Sequence, residues 1–150
     1  MLVERRNKPK LGSVFGFLIL SFLGFAVFIL LQRMALPSYE ASAIGSLISL
    51  SDSAREYANA HREYGYPANW NELTSRRSQV VDSTLASGKK NKYAFKYVPH
   101  SLEGGHRVDA YYIQADPFPP NKYLNHFFID QTGIIRHAAN GPATSGSEPR

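Results

Sequence analysis

The sequence predicts an α+β protein: a long N-terminal helix, membrane-spanning and then amphipathic, packed on a small antiparallel sheet of about four strands. Three observations predict it. Leu11 to Leu31 is an uncharged, apolar run. Between residues 38 and 64 apolar side chains recur at three- and four-residue steps, and from Lys92 onward the period changes to two.

The apolar run covers residues 11–31, which at ~1.5 Å per residue is roughly 30 Å of helix, the thickness of a hydrocarbon core. A core helix of a large protein is equally apolar, but the rest of a 150-residue chain is too little to wrap one on all sides. A cleaved secretory signal has a shorter apolar region and a small-x-small site after it, whereas Gln32, Arg33 and Met34 follow this one. The expectation is therefore a retained transmembrane helix over 11–31. Arg5, Arg6, Lys8 and Lys10 against Glu4 make residues 1–10 a basic segment that holds the N-terminus in the cytoplasm. The chain is then expected to be a single-pass membrane protein whose C-terminal domain is exported.

The formal charge is +5, from 17 basic and 12 acidic residues. Setting aside the four bases and one acid of residues 1–10 leaves 13 bases and 11 acids, so the exported part is nearly balanced. It lacks the basic stripe that phosphate binding demands, and no nucleic-acid partner is expected. With no cysteine, packing alone has to hold the domain.

Pro37 and Ser38 read as a kink and restart, after which an amphipathic spine helix runs over 38–64. Its dry face is Ile44, Leu47, Leu50, Ala54, Tyr57, Ala58 and His61, and its wet face Asp52, Glu56, Asn59 and Glu63. Gly65 is a fitting stop and Pro67 forbids continuation. Together the two helices would form a nearly continuous rod from Leu11 to Tyr64, on the order of 80 Å long.

Residues 65–139 form the expected α+β head. Asn69 and Glu72 have capping-box spacing, so a short helix follows Asn69. "SRRSQVVDSTLASGKK" reads mainly as loop, with one apolar pair, Val80 and Val81. Tyr93, Phe95 and Tyr97 share one face of a strand and Lys92, Ala94, Lys96 and Val98 the other, and Val108 to Ala115 is a second strand. "NHFFIDQTGIIRH" reads as a hairpin turning at Asp130 to Gly133. A sheet this small needs a cover, and the stripe from Ile44 to His61 supplies it. Residues 140–150, "NGPATSGSEPR", read as a mobile tail.

Four phrases in order, "EASAIGSL" (Glu40 to Leu47) with "YGYP" (Tyr64 to Pro67), then "LASGKKNKYAFKY", "ADP" and "HFFIDQTGIIR" with "NGPA", resemble the type IV pilins and type II secretion pseudopilins over about Glu40 to Ala143. The resemblance implies a pilin-like fold and a structural subunit of a type IV pilus or secretion pseudopilus, held in the inner (cytoplasmic) membrane with its C-terminal domain periplasmic or extracellular. Such a subunit assembles through its N-terminal helix with other pilin-like subunits or envelope assembly proteins, driven by a separate ATPase. In that family a glycine precedes a phenylalanine at the peptidase site, and a glutamate lies four residues beyond. Gly16 and Phe17 are the corresponding remnant here, placed inside the apolar run, and Ser21 stands where the acid belongs. A lipid-buried glutamate is kept in the family to pair with a neighbouring subunit's N-terminal amine. Its replacement by Ser21 opens a second reading, a non-polymerising, single-pass anchored periplasmic interaction domain.

Enzymatic chemistry finds no footing in the sequence: no catalytic, metal or cofactor residues are assigned. No G-x-S-x-G elbow, phosphate loop, H-E-x-x-H or dinucleotide fingerprint occurs. His100, Glu103 and His106 lie within seven residues but on a glycine-containing loop that orients none of them. Asp116, Asn121 and Asp130 read as turn residues rather than calcium ligands. His61 reads as a partly buried, hydrogen-bonded histidine. "GKKNKYAFKY" reads as a strand with its lysines in water rather than a single-strand nucleic-acid platform.

Overall fold

A computed structural model describes residues 11–74, 82–101 and 105–150, with side chains throughout these except at 11–20 and 32–35. The basic segment 1–10 and the pair Val80 and Val81 lie outside the described residues. The chain divides into two units, one ending at Ala35 and one beginning at Leu36.

Helix α1 is Leu11–Ala60, with Pro37 inside it. The expected restart at Pro37 is not observed. Proline lacks the N–H of one rung in this fifty-residue helix, and the helix continues on both sides of it. The helix also stops earlier than expected. His61 N–H still donates to Tyr57 O at 2.9 Å, but Tyr64 and Gly65 both turn back to His61 O, so residues 61–64 form a turn rather than a last helical coil. Gly65 closes that turn at φ +73°.

In the second unit α2 (Trp70–Leu73) and α3 (Ser83–Ala86) are single turns, each with a side-chain cap. Asn69 Oδ1 accepts from Glu72 N–H at 3.0 Å, and Glu72 Oε1 accepts from the Asn69 side chain at 2.9 Å. The second cap lies in a segment expected to be loop. Asp82 Oδ1 accepts from Leu85 N–H at 2.8 Å, which turns the chain and buries Leu85.

Among the described residues the sheet has six strands, β1 (Lys89–Lys90), β2 (Tyr93–Ser101), β3 (Val108–Pro117), β4 (His126–Asp130), β5 (Arg136–Ala138) and β6 (Glu148–Pro149), in that order and antiparallel throughout. The four expected strands are β2 to β5. The two additional ones are two-residue edge strands, too short to show any period. β6 corrects the expectation for residues 140–150: the segment is built into the sheet, with Ala143 fully buried and Arg150 N–H donating to Ile135 O. The hairpin turns as expected at Gly133, φ +79°.

Lys92 corrects the strand boundary. Lys90 pairs with Tyr93, leaving Asn91 and Lys92 as a two-residue loop at φ 44° and 68°, the signature of a type I′ turn. Asparagine tolerates this conformation, whereas lysine has no local hydrogen bond to offset its Cβ clash. Lys92→Gly is therefore expected to stabilise the full chain by about 0.5 to 1 kcal/mol, read as a higher denaturant midpoint at unchanged slope.

Alternation along β2, β3 and β4 turns Tyr93, Phe95, Tyr111, Ile113, Phe127 and Ile129 to one face, where they form a single core with Ala43, Leu47, Leu50 and Ala54 of α1. Tyr112, Gln114 and Phe128 face the other way. The sheet is thus covered on one face by the second half of α1.

Candidate functional site

The features that bear on function are the exposed apolar part of α1, the face of α1 under the sheet, and the polar contacts that fix them. Phe22, Leu23, Phe25, Leu30 and Leu31 are each 60–78% exposed. Among the described residues this is the one helix long and apolar enough to cross a membrane. Gly16 and Phe17 belong to its helical backbone, their side chains outside those described, and Ser21 is exposed on it.

Of the face expected to pack on the sheet, Leu47, Leu50 and Ala54 are fully buried and Ile44 packs at the rim of the core. Tyr57, Ala58 and His61 are half-buried. His61 stacks on Tyr57 at 4.3 Å, with its Nδ1 3.0 Å from Tyr57 O. Sequence reasoning missed Ala43, Ser46, Ser51 and Ser53, which are buried beside the leucines. The signal was present, since small residues flank the stripe, but hydroxyl groups count as polar in a periodicity reading. Ser46 satisfies its hydroxyl on Ser42 O, and Ser51 shares a 2.8 Å hydrogen bond with Tyr111.

Polar contacts then tie α1 to the sheet. Glu40 Oε1 accepts from both the backbone N–H and the side-chain amide of Asn125, each at 2.9 Å, and its Oε2 lies 3.3 Å from Arg150 Nη1. Asn91 donates to Ser42 Oγ at 2.8 Å. Glu40→Ala is expected to cost about 2 kcal/mol by stranding two donors of Asn125. Glu40→Gln keeps an acceptor and loses only the ion pair, at about 0.5 kcal/mol. Thermal unfolding of the two full-length variants side by side measures the difference.

Burial raises the phenols of Tyr93, Tyr97 and Tyr111 above their ordinary range. At Tyr93 the Glu40 charge adds to burial, and at Tyr111 the Ser51 hydrogen bond opposes it. The folded chain holds these protons more tightly than the unfolded one, in which tyrosine titrates near its ordinary 10.0. Stability is therefore complete below that pH and is lost as pH rises through it toward the folded values. Midpoint temperatures are expected to fall above about pH 10, with part of the tyrosinate absorbance appearing only on unfolding.

Among the described residues, open clefts lie at two places on the head. One, about 270 Å³, is lined by Tyr57, Tyr64, Tyr66, Glu72 and His106, and there Glu72 Oε2 accepts from Tyr57 OH at 3.0 Å. The other, about 440 Å³ on the outer face of the sheet, holds a row of His100, Tyr112 and Phe128 with ring centres 5.6 and 5.5 Å apart. His100 and His106 thus line different clefts, and Glu103 lies outside the described residues. Asp116 binds His126 Nδ1 at 2.6 Å, at the opposite end of the sheet from Asp130. Asn121 and Asp130 accept from Tyr123 and Thr132 within their own turns. No three metal-ligating side chains converge among the described residues. Lys96 points to solvent on the outer face.

Fold and site together define an α+β head built on the second half of a helix whose first half is apolar enough to enter a bilayer. No protein-family model, curated protein or solved structure matches the chain.

Proposed function

We propose that this chain is a membrane-anchored, pilin-like structural subunit of a type IV pilus or type II secretion pseudopilus. It makes and breaks no bond. Its apolar segment sits in the inner membrane with the N-terminus cytoplasmic, and its head stands on the other side, available to related subunits or envelope assembly proteins. The observation that carries the reading is the change of character along α1. Phe22 at 78% and Leu23 at 63% exposure suit a lipid or helix-packed environment, while Leu47 and Leu50 at 0% are the backing of the sheet. The phrases from Glu40 to Ala143 add the family resemblance.

Ser21 favours a second reading, in which the anchor stays uncleaved and the head acts as an interaction domain without polymerising. Mass spectrometry of the N-terminus separates the two. A chain beginning at methylated Phe17 supports the filament subunit, and an intact Met1 to Lys10 segment supports the permanent anchor. Recovery of the chain as a freely soluble protein on cell fractionation sinks both.

A further inference from the structure

We propose that the end of the head where α1 enters it is a docking face for the anionic surface of the bilayer. The inference rests on the membrane-anchor reading and says what the head does once anchored. Two loops make up this end. The β1–β2 turn carries Lys89, Lys90, Asn91 and Lys92, and the β3–β4 connection runs from Pro117 to Asn125 with Lys122 in it. Both are fixed against the first turns of α1 in the head, Asn91 on Ser42 and Asn125 on Glu40, and to each other by Phe118 N–H donating to Lys92 O at 2.7 Å.

The charge of the two loops has one sign. Residues 89–92 and 117–125 contain four lysines and no acid. The carboxylates bordering them are already engaged: Asp82 with Lys90, Glu40 with Asn125 and Arg150, Asp116 with His126. Lys89, Lys92 and Lys122 are exposed and have no carboxylate partner among the described residues. Glu63, Asp109 and Asp130 fall at the other end of the strands, and the exposed Glu148 lies on β6, the edge of the sheet opposite β1.

Aromatic rings accompany the lysines. Phe118 and Tyr123 are 49% and 62% exposed, with the Lys89 ammonium 3.9 Å from the Phe118 ring and that of Lys122 5.1 Å from the Tyr123 ring. Lysine for phosphate and aromatic rings for the headgroup layer are the two side-chain types an interfacial surface uses. Lys92 holds a left-handed backbone that glycine adopts more cheaply, so an ammonium stands at the tip of the turn at a conformational cost. Reach completes the case. Glu40 follows Leu31 by nine residues, ~14 Å at helical rise and at most roughly 32 Å fully extended, a tether short enough to let this end meet the headgroup layer.

The test uses the full chain in nanodiscs of phosphatidylcholine alone or mixed equally with phosphatidylglycerol. Acetylation rates of Lys89, Lys92 and Lys122 are read by mass spectrometry with Lys96 as internal reference. The expected result is a slowing of roughly fivefold in the anionic discs, lost in high salt. Hydrogen exchange of residues 118–125 slows in the same discs, but not in the variant combining Lys89→Gln, Lys92→Gly and Lys122→Gln. Equal labelling in both lipids overturns the proposal, as does protection by a single-stranded oligonucleotide with no response to lipid charge. Flotation with neutral vesicles reads the anchor separately. A chain that floats but labels equally loses the docking face alone. One that binds only anionic vesicles, through these lysines, keeps the face and loses the anchor.

Discussion

Leu50→Ala is expected to lower the unfolding free energy of the full chain by about 3 kcal/mol, the middle of the range for emptying a fully buried leucine site. Leu50 is 0% exposed and belongs to the core that α1 shares with the sheet. Removing its isobutyl group forfeits transfer energy and leaves a void that rigid neighbours on two elements cannot close. Ile48, two residues away and 45% exposed, provides the contrast: Ile48→Ala should cost well under 1 kcal/mol. Chemical denaturation of both variants in the same detergent reads the pair. Equal losses would mean that α1 does not back the sheet as described.

Gly65→Ala should be as damaging, at roughly 3 kcal/mol, by a different route. Gly65 has φ +73°, where a Cβ costs about 1 to 2 kcal/mol, and that Cβ would lie 2.2 Å from Val108 O. Val108 is held at that distance for a reason: its N–H donates to Tyr64 O and its carbonyl accepts from Tyr66 N–H, both at 2.9 Å. The methyl cannot be accommodated without breaking that pair, at about 1 kcal/mol per bond. Loss of the bridge should also show as faster hydrogen exchange at Tyr66 and Val108, a local signature that Leu50→Ala would not give.

The long elements were legible because their signals are long. Uncharged residues 11–31, the stripe through Leu47, Leu50 and Ala54, and alternation through Tyr93, Phe95, Tyr111 and Ile113 each repeat often enough to outweigh chance. What was missed is short. A two-residue strand such as β1 or β6 has no period, and the Asn91–Lys92 turn hides because its second position lacks the customary glycine. Glycine, proline and serine made residues 140–150 read as free tail, yet composition says nothing about Arg150 reaching Glu40 or Ala143 being covered. The lysine end was visible only as "GKKNK". Its partner loop lies some thirty positions on, and only the sheet register brings Lys92 beside Phe118.

The meander order has a consequence for the time course of folding. Each strand pairs with its successor, so the sheet can zip up from neighbouring segments with short closures. Helix α1 is different: its ties to the sheet, Ser51 to Tyr111 and Glu40 to Asn125, span 60 and 85 residues. A chain delivered N-terminus first therefore presents Leu47 and Leu50 bare while the strands are still being made. That interval of exposure lasts until β4 arrives, and variants that slow strand pairing should lengthen it and aggregate at lower concentration than the parent chain.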